Sequence, residues 1–171
     1  MTVVIVVLIH TLVAFLIDIR TRKIPNNWNW TVLICGLTYH VVNSGWSGLS
    51  FSLAGGLALL LVTTFLYTCG AIGGGDVKWF AALGSWCGVW FTMNTLVYTF
   101  LIGGTISVVI LMFKGRLLNI LKQWIIAIVC LLGDKKLSNL KVINQQPLHE
   151  IPLMIAALPA VAIILLMNGG Q

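Results

Sequence analysis

Six long apolar segments alternate with shorter polar stretches along this chain. The apolar segments cover residues 2–17, 28–42, 49–72, 77–91, 95–113 and 151–167. Because a helix of about 20 residues crosses the apolar core of a bilayer, the pattern predicts an all-α integral membrane protein with six transmembrane helices. The first segment lacks the basic start and small-residue cleavage site of a signal peptide, so we expect it to be retained. Pro25 ends helical continuity in the polar stretch that follows.

The composition excludes a water-soluble globular domain. Of the 171 residues, 59% are hydrophobic and 8% are charged, whereas soluble domains average about 25% charged residues. We therefore predict a single membrane-embedded domain over residues 1–171, with a long cytoplasmic connection at 114–150. The four cysteines are widely separated and form no Cys-x-x-Cys pair, so the sequence supports neither a metal site nor a disulfide framework.

The basic residues predict the orientation of the chain. With six crossings, all ten fall on the same side of the membrane: Arg20, Arg22, Lys23, Lys78, Lys114, Arg116, Lys122, Lys135, Lys136 and Lys141. By the positive-inside rule that side is the cytoplasm, so both termini are expected outside. The net charge of +6 is thus explained by membrane topology, and we predict no nucleic-acid binding.

Segment 117–132 is apolar enough to form a seventh crossing. A crossing there would move Lys135, Lys136 and Lys141 to the outside, against the positive-inside rule. We therefore predict an amphipathic helix that lies on the cytoplasmic face between helices five and six.

Two of the four acidic residues lie at the ends of predicted spans. Asp134 and Glu150 belong to the long polar connection, but Asp18 directly follows the first apolar segment and Asp76 directly precedes the fourth. At 1.5 Å per residue, Asp18 lies about 24 Å from the start of its helix, near the inner edge of a core about 30 Å thick. The six-span topology places Asp76 at a similar depth, and ionisable residues at such depths tend to mark function.

Each aspartate also has a structural explanation. Asp76 can be the N-cap of helix four, and Asp18 can pair with Arg20, Arg22 or Lys23. The glycines at 73–75, however, allow the backbone to leave helical geometry and to approach another chain closely. Two carboxylates beside such a break suit an aspartyl protease, in which one takes a proton from water and the other polarises the scissile carbonyl. Such a pair would share one proton.

Two sequence motifs carry a family resemblance. Gly73-Gly74-Gly75-Asp76 fits the G-x-G-D motif of intramembrane-type aspartyl proteases, and its extension Val77-Lys78 resembles the type IV prepilin peptidases. Asp18 followed by Ile24-Pro25-Asn26 is similar to the first-aspartate segment of that family. Ile151-Pro152 is similar to its proline-initiated final helix. The chain therefore resembles the type IV prepilin peptidases over essentially its whole length.

The resemblance implies a specific activity. The expected enzyme is an aspartic endopeptidase of the bacterial inner membrane, which cuts the short basic leader from pilin-like precursors after a glycine, at the cytoplasmic face. Asp18 and Asp76 are its expected catalytic residues, and the expected motif or substrate-binding residues are Gly73, Gly75, Lys78, Pro25 and Asn26. The chain is similar in size to the small peptidase-only forms, such as those of Tad/Flp pili. It lacks the paired cysteines of the larger enzymes that also methylate, so we expect no methyltransferase activity. We expect no cofactor, and the oligomeric state stays open.

Other assignments stay open at this stage. Lys78 can be an interfacial anchor, and His10 can be a buried hydrogen-bonded histidine or a proton relay. Asn26 and Asn27 can cap helix two or bind substrate. A transporter that uses Asp18 and Asp76 to bind a cation, and a non-catalytic assembly scaffold, are the alternative function classes.

Overall fold

Four α-helices make up the described part of the chain. The computed structural model describes residues 2–21, 25–113, 115 and 153–168. Within these ranges the helices are α1 (Thr2–Thr21), α2 (Asn26–Thr68), α3 (Gly74–Phe113) and α4 (Met154–Asn168). The predicted all-α class is confirmed, and α1, α2 and α3 are each long and apolar enough to cross a membrane.

Helix α2 is interrupted at Gly45. This residue has φ +57° and ψ −133°, a conformation that glycine adopts without steric cost. Asn29, near the start of α2, donates a hydrogen bond to Gly75, and the ring of Tyr67, near its end, lies beside Gly74. A straight helix would separate residues 29 and 67 by about 57 Å. The two halves of α2 therefore fold back on each other.

Helix α3 is interrupted at Gly88, where the ring of Phe51 occupies the space that a side chain would need. Gly88 has φ +75° and ψ 179°, again a conformation that suits glycine. Beyond this break, a Cβ atom built on Gly103 would lie 3.4 Å from the Cβ of Ala156, in the first turn of α4. Tyr98 donates its hydroxyl to Met167 at the other end of α4. The part of α3 between Gly88 and Gly103 is therefore antiparallel to α4.

The observed helix ends differ from the predicted ones. The segment predicted to continue to residue 72 ends at Thr68, because Gly70 has φ +74° and closes a Schellman motif. In this motif Ala71 N donates to Leu66 O over 2.9 Å and Gly70 N to Tyr67 O over 2.9 Å. Helix α3 begins at Gly74 and not at residue 77, and its break lies at Gly88 and not at 92–94.

The first half of α3 is the buried centre of the first compact unit, which comprises Met1–Gly103 and Pro152–Gln171. Every residue from 79 to 86 is buried, as expected of a helix that is apolar on all sides. At the crossing with α2, Gly55 and Gly84 each lie against the other's carbonyl group, too close for a Cβ atom on either. Small residues allow such close approach of helices in membranes.

The second compact unit is Gly104–Ile151. Of this unit, only residues 104–113 and 115 are described, and residues 104–113 form the end of α3. The predicted interfacial helix at 117–132 and nearly all of the predicted connection at 114–150 lie outside the described residues. The start predicted for the last helix, Ile151-Pro152, lies outside them as well.

Candidate active site

Asp18 lies near the end of α1, and its side chain is 8% exposed. The backbone N–H of Met154, the first residue of α4, donates a hydrogen bond of 3.4 Å to Oδ2 of Asp18. The first N–H groups of a helix have no partner within the helix, so the carboxylate satisfies a group that α4 leaves open. A helix that begins 136 residues later in the chain thus contributes to the position of Asp18.

Asp76 is the third residue of α3, and Gly73 occupies the N-cap position. The carbonyl oxygen of Gly73 accepts hydrogen bonds from Asp76 N at 3.1 Å and from Val77 N at 3.3 Å. In return, Oδ2 of Asp76 accepts a hydrogen bond of 3.2 Å from the backbone N–H of Gly73. This is the reciprocal half of a capping box. The N-cap reading of Asp76 is therefore wrong, because its carboxylate folds back from the third position.

Both aspartates belong to the first unit. Asp18 is close enough to Asp76 for their charges to interact. Each carboxylate accepts a backbone N–H at the beginning of a helix, so secondary structure orients both. Of the predicted ion-pair partners of Asp18, Arg20 is exposed, and Arg22 and Lys23 lie outside the described residues; that alternative stays a prediction.

The glycine segment before Asp76 is more regular than expected. Gly74 and Gly75 belong to the first turn of α3, and the positive φ angle lies earlier, at Gly70. Gly74 and Gly75 therefore do not use the freedom to leave helical geometry that glycine allows. The presence of glycine at position 73 has a steric explanation instead, because a Cβ atom there would lie 3.1 Å from Oδ2 of Asp76.

The beginning of α2 contacts the beginning of α3. Pro25 is extended, with φ −62° and ψ 133°, and precedes α2 without a side-chain capping bond. Oδ1 of Asn26 accepts a hydrogen bond of 2.7 Å from Nζ of Lys78. This contact joins the Pro25-Asn26 motif to the residues that follow Asp76, and it gives Asn26 a role other than capping α2.

His10 is a buried member of an aromatic stack. Its ring lies 6.3 Å from that of Trp28 and 5.9 Å from that of Trp79, centroid to centroid. Nδ1 of His10 accepts a hydrogen bond of 3.1 Å from Nε1 of Trp28. The prediction of a buried hydrogen-bonded histidine is confirmed, and the stack joins α1, α2 and α3.

The sequence reasoning missed Asn29. This residue is buried, and its Nδ2 donates a hydrogen bond of 3.4 Å to the carbonyl oxygen of Gly75, next to Asp76. Its spacing in the sequence could have identified it, since Asn29 lies three positions after Asn26 and therefore on the same helix face.

Comparison with known proteins assigns the family. The model of the type IV leader peptidase family matches residues 5–108, which is more than half of the chain. The matched range contains both aspartates, the contact between Asn26 and Lys78, and the glycines before Asp76. Comparison with curated proteins and with solved structures gives no significant match. On the strength of the family match, this chain belongs to the type IV leader peptidase family.

Proposed function

We propose that this peptidase is a membrane aspartyl endopeptidase that removes the short basic leader from type IV pilin-like precursors. The family implies a peptidase with pilin precursors as its general substrates. The observation that carries the aspartyl mechanism is the interaction between Asp18 and Asp76, which come from two helices far apart in sequence. Both are held by backbone N–H groups, and a site built on helices keeps its geometry well.

The chemistry requires the two carboxylates to be in different protonation states. The ionised one takes a proton from water as the water oxygen attacks the scissile carbonyl carbon, while the protonated one donates a hydrogen bond to the carbonyl oxygen. The resulting tetrahedral intermediate then collapses, and the C–N bond breaks as the leaving amine takes up a proton. Like charges a few ångströms apart do not readily ionise together, so the pair would hold one proton between them.

A six-crossing topology is part of the proposal. It is supported by the break at Gly45, where α2 folds back, by the break at Gly88, and by the placement of all ten basic residues on one side. In this topology both termini are outside, and the aspartates lie near the cytoplasmic surface of the bacterial inner membrane. The leader of the precursor stays in the cytoplasm while its apolar segment lies beside the helices of the enzyme.

The most specific parts of the proposal are the type of precursor and the absence of a methylation step. We propose that the substrates are precursors of the Tad/Flp type and that the enzyme does not methylate the new N-terminus. Support comes from the resemblance to the small peptidase-only enzymes and from the absence of a Cys-x-x-Cys pair in the sequence.

Co-expression tests this function directly. The full chain is expressed with candidate pilin precursors, and the products are analysed by mass spectrometry. We expect a product that begins after a glycine and carries an unmethylated N-terminus. An intact leader on every candidate precursor would contradict the peptidase assignment, and a product methylated by the purified enzyme with S-adenosylmethionine would contradict the peptidase-only scope.

A further inference from the structure

Asn29 lies beside the segment that carries Asp76. It is the fourth residue of α2, and its side chain is 2% exposed. Nδ2 of Asn29 donates a long hydrogen bond of 3.4 Å to the carbonyl oxygen of Gly75. The contact therefore joins the beginning of α2 to the residue that immediately precedes Asp76.

The peptide bond transmits this contact to Asp76. The carbonyl oxygen of Gly75 and the backbone nitrogen of Asp76 belong to the same planar group, and that nitrogen also donates to Gly73 O over 3.1 Å. A side chain that holds the oxygen restrains the tilt of the plane. It thereby contributes to the direction in which the side chain of Asp76 leaves the backbone. The three glycines at 73–75 have no side chains with which to make such a contact themselves.

The burial of an amide at this position needs an explanation. A buried amide is destabilising unless hydrogen bonds compensate for the loss of water, and Oδ1 of Asn29 has no partner within the part of the chain that the structure describes. An apolar side chain would avoid this cost. Nδ2 of Asn29 supplies a donor to the carbonyl oxygen of Gly75, which can only accept, and an apolar side chain could not do so.

A second contact on the same helix face also joins the beginning of α2 to the beginning of α3. Asn26 and Asn29 are three positions apart and share a face of α2, and Asn26 accepts the hydrogen bond from Lys78. The Asn26 contact is exposed, whereas Asn29 is buried and shielded from competition with water. The first turns of α2 and α3 are thus joined at two points, of which the buried one lies next to Asp76.

We propose that Asn29 is a positioning residue that directs the Asp76 carboxylate toward Asp18 through the carbonyl group of Gly75. The inference rests on the proposed function, because it takes Asp18 and Asp76 as the pair that cleaves the substrate. A misplacement of about 1 Å can cost about 100-fold in rate. Because Asn29 is buried, its loss lowers kcat and leaves KM nearly unchanged.

Two substitutions separate the hydrogen bond of Asn29 from its volume. Leucine has a similar size but no donor, and glutamine keeps the donor one methylene further out. For precursor cleavage by the full-length protein, we expect kcat to fall at least about 10-fold in Asn29→Leu and less in Asn29→Gln, with KM nearly unchanged. A packing role predicts the reverse order, since leucine suits an apolar interior better. That reverse order would overturn the proposal.

Ser52 provides a matched control. Its Oγ donates a buried hydrogen bond of 2.7 Å to Ser85 O, which also joins α2 to α3. Ser85 is about 14 Å further along α3 than Asp76. We expect Ser52→Ala to keep kcat near the wild-type value. Thermal unfolding of Ser52→Ala and Asn29→Leu is measured in parallel to compare their stabilities. Equal losses of kcat in Ser52→Ala and Asn29→Leu would reduce Asn29 to a structural contact and overturn the proposal.

Cross-linking between positions 18 and 76 tests their relative placement without depending on catalysis. Asp18→Cys and Asp76→Cys are combined in a full-length chain whose four native cysteines are changed to alanine, and the pair is cross-linked with a short bifunctional thiol reagent. We expect Asn29→Leu to slow cross-linking several-fold, and an unchanged rate would overturn the proposal. If Asp18→Asn and Asp76→Asn remain active, the proposed function fails. If both are inactive and Asn29→Leu cleaves normally, this inference alone fails.

Discussion

The backbone N–H of Met154 donates a hydrogen bond to Oδ2 of Asp18 over 3.4 Å, and so joins the beginning of α4 to the end of α1. Helix α4 lies outside the range matched by the family model, which ends at residue 108. The last helix thus takes part in orienting a proposed catalytic residue of the matched region.

Replacing Met154 by proline tests this contact. Proline lacks the N–H and is well tolerated at the first position of a helix. Because hydrogen bonds to charged groups contribute about 1.5–3 kcal/mol, we expect kcat/KM for precursor cleavage to fall about 10-fold or more in Met154→Pro. Met154→Ala is the control, since it keeps the N–H and loses the same buried side chain. Equal activities of the two variants would show that the backbone N–H of Met154 does not orient Asp18 for cleavage.

The glycines before Asp76 differ in the space around them. A methyl group at Gly73 would lie 3.1 Å from Oδ2 of Asp76, whereas at Gly74 the nearest atom is 3.6 Å away, on the ring of Tyr67. We therefore expect Gly73→Ala to displace the carboxylate and to lower kcat about 10-fold or more. Gly74→Ala should cleave at close to the wild-type rate, which initial-rate measurements on the two proteins would establish. A greater loss in Gly74→Ala would contradict the geometry.

The contact between Asn26 and Lys78 is expected to have a modest effect. Its atoms are 2.7 Å apart but exposed, and exposed contacts of a charged group are worth about 0–1 kcal/mol. We expect Asn26→Ala and Lys78→Met each to lower kcat/KM up to about fivefold, and the double substitution to cost little more, because contacting residues are non-additive. A double-mutant cycle on cleavage rates measures this coupling. Fully additive losses would show that the two side chains act separately.

The sequence predicted the parts of the fold that carry polar signals. The break at Gly45 lies within the polar stretch 43–48, and the two motifs that contain Asp18 and Asp76 were expected to lie at a common depth. The break in α3 was predicted at 92–94 and not at Gly88, and the end of α2 at residue 72 and not before Gly70, because both glycines lie within apolar sequence that gives no turn signal. The contacts made by Asn29 and by Met154 N depend on how distant helices pack, which no local pattern specifies.

Reporter fusions test the predicted topology. We expect fusions after Lys23 and within 135–141 to report a cytoplasmic location, because the basic residues cluster there. Fusions within 43–48, around the break at Gly45, should report an external location. An external signal near Lys136 would contradict the six-crossing topology and would favour a seventh crossing at 117–132.

The central claim is that Asp18 and Asp76 form one catalytic unit. Asparagine keeps the size of aspartate but can neither ionise nor take a proton from water, so it removes the chemistry while the helices remain. Members of one catalytic unit are strongly non-additive. Losing either aspartate should therefore cost nearly as much as losing both.

The most direct test measures precursor cleavage in matched membranes for Asp18→Asn, Asp76→Asn and the double substitution, with Asp134→Asn and Glu150→Gln as controls. We predict that both single variants and the double variant lose cleavage at normal protein levels, and that both controls keep most of it. Near wild-type cleavage by either Asp18→Asn or Asp76→Asn would contradict the account.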